Sequence, residues 1–223
     1  EDLRKLLTLL RTNEAPSQLV EAAANYALSL NNLFESQGII LDQETLKREL
    51  GYNRLRPFKW AWKFYLLSAV LLAGLLVFGS KTENFLTFQG SRFKLAAART
   101  GLVFFLAGFT IHFYGFFLRC LIAGRPPVTN MYESIIWVSW GAVLFSLILF
   151  GIYKALSIPL TAACVAGLAL IIAESFPAVL DASIAPLVPV LRSNFWLTIH
   201  VLTITLSYGA FALAWGLGHG VVF

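Results

Sequence analysis

Charge is what this sequence has least of. Only 13% of its 223 residues are Asp, Glu, Lys or Arg, against 58% hydrophobic residues. A soluble domain of this length carries nearly twice that share of charge. The surplus of apolar side chains cannot all enter one core, so lipid must be the solvent for much of the surface. The net charge of +5 is scattered around the ends of the apolar runs. That suits membrane-flanking Lys and Arg and excludes a nucleic-acid face, which needs a clustered stripe. Cysteine is almost missing too. Cys120 and Cys164 both fall inside apolar stretches and form no CxxC metal pair, CxxCH haem-attachment motif or disulfide framework. They read as two small buried hydrophobes. No Ser-His-Asp order, HExxH, P-loop or GxGxxG is present, so hydrolytic, metalloprotease and nucleotide-driven readings have no residues to rest on. The first residues, Glu1 to Lys5, carry no signal peptide and no initiating Met, which leads to the expectation of a start partway through a longer polypeptide or after processing.

What is present divides at about residue 59. Residues 1–59 hold eight of the twelve acidic residues, and their leucines and alanines recur near helical spacing. Pro16 breaks a first run, Ser17 is placed to cap a second helix, and a third short helix is expected from Asp42 to Leu50, stopped by Gly51. This segment reads as helical and extramembrane. Five apolar runs follow, at about 60–79, 99–123, 132–153, 156–173 and from 195 onward. Twenty residues at 1.5 Å each cover the ~30 Å hydrocarbon core. The expected fold is all-α: a polytopic membrane protein with five transmembrane helices and a short helical N-terminal segment. Loop 80–98 is polar and basic, Lys154 makes a tight turn between the third and fourth spans, and loop 174–194 is apolar enough to lie on the membrane surface. Charge does not orient the chain. Arg54, Arg56, Lys59, Arg125 and Arg192 on one side face Lys81, Arg92, Lys94, Arg99 and Lys154 on the other.

Polar groups inside a bilayer are costly, so each one is a functional candidate until a structural partner is found. Trp196, His200, Thr203, Ser207 and Phe211 fall along one face of the fifth span. His200, near the interface, suits either axial ligation of haem iron, shielded by Trp196 and the loop, or a hydrogen bond to a neighbouring helix. His112 lies deeper, with Arg119 seven residues on and on the same face. It can relay protons, bind a metal, ligate haem or bond to an adjacent carbonyl. His219, between Gly218 and Gly220, reads as interfacial. In the linker from Gly124, Asn130 and Glu133 form a capping-box pattern ahead of an apolar run. Alternatively Arg125, Asn130 and Glu133 frame a site at the membrane face of His200. Trp137 and Trp140 continue the Glu133 face as an aromatic stripe suited to packing or to a planar macrocycle.

Two stretches resemble a known family. The segment from Ile111 to Trp140, in which a span bearing Arg119 leads into Pro127-Val-Thr-Asn-Met-Tyr-Glu-Ser134, is similar to the early part of the CcsA/ResC cytochrome c assembly family. The segment from Leu191 to Val201, with Ser207 to Phe211, resembles the family stretch whose histidine is one of two extracytoplasmic haem ligands. The match covers roughly 99–223. It implies a haem-handling membrane subunit of the System II cytochrome c synthase, in the bacterial cytoplasmic membrane. Such a subunit takes haem b as substrate and presents it for attachment to the CxxCH cysteines of apocytochrome c. By position His200 corresponds to the first external haem-iron ligand, with Trp196, His112, Arg125, Glu133 and Trp137 as further candidates to hold the macrocycle. The resemblance places residues 1–59 and loops 124–131 and 174–194 outside, and implies a CcsB/ResB-like partner subunit or fused domain. The family's W-G-x-x-W-x-W-D motif and second external histidine are absent here. The expectation is an incomplete portion of a haem lyase, inactive alone. Rival readings are a haem-delivery subunit of the other bacterial assembly system, a small secondary transporter using His112 and Arg119, and a ligand-free scaffold.

Overall fold

The computed structural model describes residues 2–12, 16–36, 42–78, 92–126, 128–184 and 195–222. Eight α-helices and no strand form among these residues, and five of the helical runs are long and apolar enough to cross a membrane. The chain divides into two compact units, Glu1–Lys47 and Arg48–Phe223.

In the first unit α1 (Asp2–Thr12) packs on α2 (Pro16–Ser36), with Ala22 buried. Helix α2 starts on Pro16 itself, one residue ahead of the expected Ser17 cap. Proline suits the first helical position, where its missing N–H would be unpaired anyway. Helix α3 (Gln43–Leu55) begins on an Asp42 cap that accepts the Glu44 N–H at 3.0 Å and the Thr45 hydroxyl at 2.6 Å. It continues through Gly51, where a stop was expected. An exposed glycine costs a helix only about 1 kcal/mol. The break comes instead at Arg56, whose φ of 46° leads into Pro57, because a proline disfavours helical backbone in the residue before it.

The second unit is a helical bundle. Helix α4 (Pro57–Phe78) packs on α5 (Arg92–Ala123) and α7 (Ser157–Ser175), while α6 (Met131–Tyr153) packs on α7 and α8 (Phe195–Val222). Without a hydrophobic drive between helices in lipid, close van der Waals approach must hold them together. Small residues provide it. Gly101, Gly108 and Gly115 line α5 at seven-residue intervals, and a Cβ there would come within 2.8 Å of Leu72, 2.9 Å of Tyr65 and 2.6 Å of Pro57. On α8 a Cβ at Gly209 would meet the Val138 carbonyl at 2.8 Å. Ala162, Ala163 and Ala166 of α7 are fully buried.

The expected second span lengthens. Helix α5 starts at Arg92 rather than Arg99, since Leu95 to Ala98 favour helix. Its 32 residues make a rod of about 48 Å, longer than the ~30 Å hydrocarbon core. Residues 79–91 of the expected loop lie outside the described residues, as do 185–194 of the loop before α8, with Pro186, Pro189 and Arg192. Lys154 makes the expected turn in the left-handed conformation, φ 57°, its N–H bonded to the Phe150 carbonyl.

Candidate functional site

A buried polar cluster closes one end of the bundle. Arg119 and Glu133 are each about 1% exposed and form an ion pair at 3.0 Å, Arg119 Nη2 donating to Glu133 Oε1. A pair taken out of water must have its remaining protons and lone pairs satisfied, and here the backbone supplies much of that. Arg119 Nη1 donates to the Ala182 carbonyl at 2.9 Å and to the Tyr52 hydroxyl at 3.2 Å, and Nη2 to the Ser183 carbonyl at 3.4 Å. The guanidinium also lies 5.1 Å from the Tyr132 ring centroid. The other carboxylate oxygen, Oε2, accepts from the Thr129 N–H at 3.0 Å, the Thr129 hydroxyl at 2.7 Å and Arg125 at 3.4 Å. Arg125 also bonds to the Thr129 hydroxyl.

Local sequence explains this placement. Asn130, extended at φ −133°, caps α6 by accepting the Glu133 N–H at 2.8 Å. In the usual box the third residue returns its side chain to the cap N–H. Glu133 reaches the Thr129 N–H instead, which turns its carboxylate towards Arg119. Asn130 Nδ2 donates to the Asp181 carbonyl at 3.1 Å. Asp181 in turn accepts the Ser183 N–H and hydroxyl, both at 2.8 Å, and the N–H bond holds its carboxyl below its usual pKa. The linker before α6 and segment 181–183 are thus tied through one arginine and one asparagine. Beside them a cleft of about 500 Å³ opens among Tyr52, Arg56, Lys59, Tyr132, Glu174 and Leu180, with Glu174 accepting from the Trp62 indole at 3.0 Å.

The sequence candidates separate into three places. Arg125, Asn130 and Glu133 come together in this cluster. His112 is fully buried, its Nδ1 3.3 Å from the Tyr65 hydroxyl. The rings of Phe58 and Tyr65 pack against it in T-shaped contacts with centroids at 5.6 and 6.0 Å. Its Nε2 makes no hydrogen bond among the described residues. Besides Tyr65, the Ile136 backbone is the polar group that comes nearest the ring, and its carbonyl, which accepts the Ser139 hydroxyl at 3.0 Å, keeps a second lone pair. Trp137 and Trp140 stack at 5.2 Å, and Phe116 stacks on Trp137 at 5.0 Å and Phe109 on Trp140 at 5.8 Å. The stripe is filled by phenylalanines of α5, and the Trp137 indole donates to the Leu202 carbonyl at 3.2 Å.

His200 stands apart. Gly209 marks the side of α8 that meets α6, and nine residues at 100° put His200 roughly 180° from it. The imidazole is exposed and has no hydrogen bond among the described residues. Trp196, one turn earlier, is 74% exposed, and Thr203 and Phe211 continue the open face. His219 is exposed, with Nδ1 2.9 Å from the Trp215 carbonyl. The partners that sequence reasoning missed are Tyr52, Thr129 and segment 181–183. Asp181-Ala-Ser183 is a turn signature and could have been found, whereas its contact with Arg119 spans more than sixty residues and left no local trace.

The family model described as Cytochrome C assembly protein matches residues 128–218. Protein NrfI of Wolinella succinogenes is 36% identical over 183 residues, 81% of this chain and 19% of that protein. Cytochrome c biogenesis protein CcsA of Picosynechococcus is 39% identical over 93 residues, 41% of this chain and 27% of that protein. A CcsA of Prochlorococcus marinus is 30% identical over 168 residues, 73% of this chain and 52% of that protein. The chain therefore spans from about a fifth to about half the length of these relatives. The matched region contains the end of the α6 linker from Val128, the Arg119 partner Glu133 and His200, within a bundle of five helices suited to a bilayer, and the chain belongs to the CcsA family of cytochrome c assembly proteins.

Proposed function

We propose that this chain is the part of a cytochrome c synthase that takes haem b as substrate and presents it outside the bacterial cytoplasmic membrane to apocytochrome c. The observation that carries the reading is His200. It is an imidazole on an open helix face beside the exposed indole of Trp196, with its nitrogens unengaged among the described residues. Haem is a flat ligand that needs an axial donor and an unobstructed approach, and this face offers both. His112 fits haem poorly, because Phe58 and Tyr65 close on its ring and Gly108 and Gly115 draw α4 against α5 on either side. Its role in this reading is to tie α4 to α5 through Tyr65.

Each remaining residue has a positional task. His200 holds the iron from one side, and Trp196 shields the porphyrin edge. Arg125, Glu133 and Trp137 act from behind: the first two set the linker, and Trp137 fixes α8 through the Leu202 carbonyl. Haem brings vinyl groups that take the cysteine thiols of an apocytochrome CxxCH pair as thioethers, so this chain needs no nucleophile of its own. His219 is about 28 Å farther along α8 at 1.5 Å per residue and cannot reach the same iron. A second imidazole comes from polypeptide other than this chain, which agrees with the greater length of its relatives. A CcsB/ResB-like partner or fused domain completes the synthase. Residues 1–59 and loops 124–131 and 174–194 face outward. The transporter alternative is disfavoured because protein groups already occupy both Arg119 amino nitrogens.

The test is the visible spectrum of the purified full-length protein containing this chain. His200→Ala should remove more than half of the Soret absorbance, and added imidazole should restore it, while His112→Ala should leave it in place. An undiminished Soret band in His200→Ala would overturn the assignment.

A further inference from the structure

Helix α8 is the least enclosed of the five spans. The most apolar stretch of each of the other four is 33–44% buried, that of α8 only 11%. Its contacts with α6 and α7 fall on one side. A Cβ at Gly209 would meet α6 backbone, and one at Gly216 would meet Thr161 and Val165 of α7. Seven residues at 100° each place these two glycines within about 20° of one another. More than a quarter turn away, Ile204, Tyr208, Phe211 and Trp215 are 38%, 53%, 68% and 66% exposed. Their spacings of four, three and four gather them within an arc of about 60°, the pattern of a helix-packing seam.

Lipid can cover the isoleucine and the phenylalanine, but it cannot satisfy Tyr208. Gly209 abuts Val138, Gly141 and Ala142, and Ala142 is the central residue of α6. Tyr208 therefore stems from near mid-bilayer, roughly 10–15 Å from the nearer boundary of a ~30 Å hydrocarbon core, too far for a phenol to reach the headgroups. An unpaired hydroxyl at that depth is costly. The neighbouring hydroxyls of α8 are already paired, Thr203 donating to the Ile199 carbonyl at 2.8 Å and Ser207 to the Ile204 carbonyl at 2.6 Å. The Tyr208 hydroxyl extends past its own backbone and makes no hydrogen bond among the described residues. Exposed Tyr114 and Tyr153 have no such need, because Tyr114 adjoins the Gly115–Pro57 contact at the start of α4 and Tyr153 ends α6. Inside the bundle protein meets the same demand: Tyr65 is fully buried, with its hydroxyl 3.3 Å from His112.

We propose that the Ile204–Tyr208–Phe211–Trp215 seam docks a further transmembrane helix, which brings a hydrogen-bond acceptor to the Tyr208 hydroxyl at mid-membrane. A helix is the element that carries a polar side chain to that depth with its own backbone satisfied, and close packing with one interhelical hydrogen bond is how such helices associate. The chain spans 19% of NrfI and 52% of a CcsA, so polypeptide outside it is at hand to supply the helix. The seam begins one turn below His200, which keeps the approach to that imidazole open, and the packing does not depend on what His200 binds.

The test uses the full-length protein containing this chain, purified without haem and reconstituted at one copy per nanodisc. In a background lacking native cysteine, single spin labels are placed at Ile204→Cys and Phe211→Cys. Leu106→Cys is the control, 48% exposed on α5 beside the Phe105–Tyr65 contact. Oxygen dissolved in lipid should collide with the labels at 204 and 211 about fivefold less often than with the one at 106. Infrared difference spectra of native and Tyr208→Phe protein, with and without ring-deuterated tyrosine, read the phenol itself with no label present. They should show the C–O stretch of a phenol that donates a hydrogen bond. Collision at 204 and 211 equal to that at 106 would mean a lipid-covered face and overturn the proposal, as would the band of a free phenol. Shielding that appears only once haem is added would assign the face to the macrocycle, and shielding only with two copies per disc would assign it to a second copy. Either result removes the further helix.

Discussion

Arg119 has more partners than any other side chain in the bundle described above, and its position shows how a charge is kept in a dry place. The guanidinium is neutralised by Glu133 and its amino nitrogens are taken by Tyr52 and the carbonyls of Ala182 and Ser183. Removing one member of such a pair strands the other without solvent. Glu133→Ala should therefore destabilise the protein by about 3–5 kcal/mol. Tyr52→Phe, which deletes one hydrogen bond and leaves the ion pair, should cost about 1 kcal/mol. Denaturation of the purified protein in detergent measures both. A double substitution, Arg119→Met with Glu133→Met, should cost clearly less than the sum of the two single ones, because neither charge is left behind. Equal and additive losses would show that the pair is not coupled as the geometry requires. Amide exchange over 180–184 adds a second reading. It should accelerate in Arg119→Met, since Arg119 binds two carbonyls of that segment.

At the scale of helices, association rests on glycine and alanine rather than on large side chains. The α6–α8 contact sets backbone against backbone: a Cβ at Gly209 would meet backbone atoms of Val138, Gly141 and Ala142 within 3.1 Å, and backbone cannot move aside as a side-chain tip can. Gly209→Val should lower stability by about 3 kcal/mol or separate α8 from α6, given that overpacking alone costs about 1–3 kcal/mol. Gly151→Val, where nothing lies within 4 Å, serves as the matched control and should change stability by less than about 1 kcal/mol. The Gly209 change should also weaken haem retention under the proposed function, since α8 carries His200. Unfolding midpoint and Soret absorbance of the two variants distinguish these outcomes. The aromatic face of α6 belongs to the same scale: Trp137 and Trp140 fill the groove against α5 while Trp137 holds the α8 backbone, so one stripe serves two neighbours.

For the whole molecule, helix lengths decide which loops share a side. Helix α6 has 23 residues, which make about 34 Å of rise, so Asn130 and Lys154 at its ends lie on opposite faces of the bilayer. The Asn130–Asp181 bond puts segment 176–184 with Asn130. In the proposed orientation this is the outer face. In a background lacking native cysteine, Val179→Cys, 79% exposed in the native chain, should react with a membrane-impermeant maleimide added to intact spheroplasts, and Lys154→Cys should react only after lysis. The reverse pattern would invert the topology and remove the external site.

The all-helical membrane fold follows from the sequence alone, because lipid demands long uncharged runs whose backbone is satisfied internally, and such runs are visible in one dimension. The same holds for the Asn130 cap, the Lys154 turn and the face shared by Trp196 and His200, which depend on spacings of a few residues. The register of α5 against α4 is written there as well, in the seven-residue spacing of Gly101, Gly108 and Gly115, though it acquires meaning only beside Leu72, Tyr65 and Pro57. Tertiary structure decided what each polar side chain faces. Arg119 and His112 share a helix face seven residues apart, yet one is enclosed by carbonyls and a carboxylate and the other by aromatic rings. The partners come from helices and loops distant in the chain, and no local pattern records them. The open side of α8 was settled in the same way, by where α6 lies against Gly209, and this contact leaves His200 facing outward.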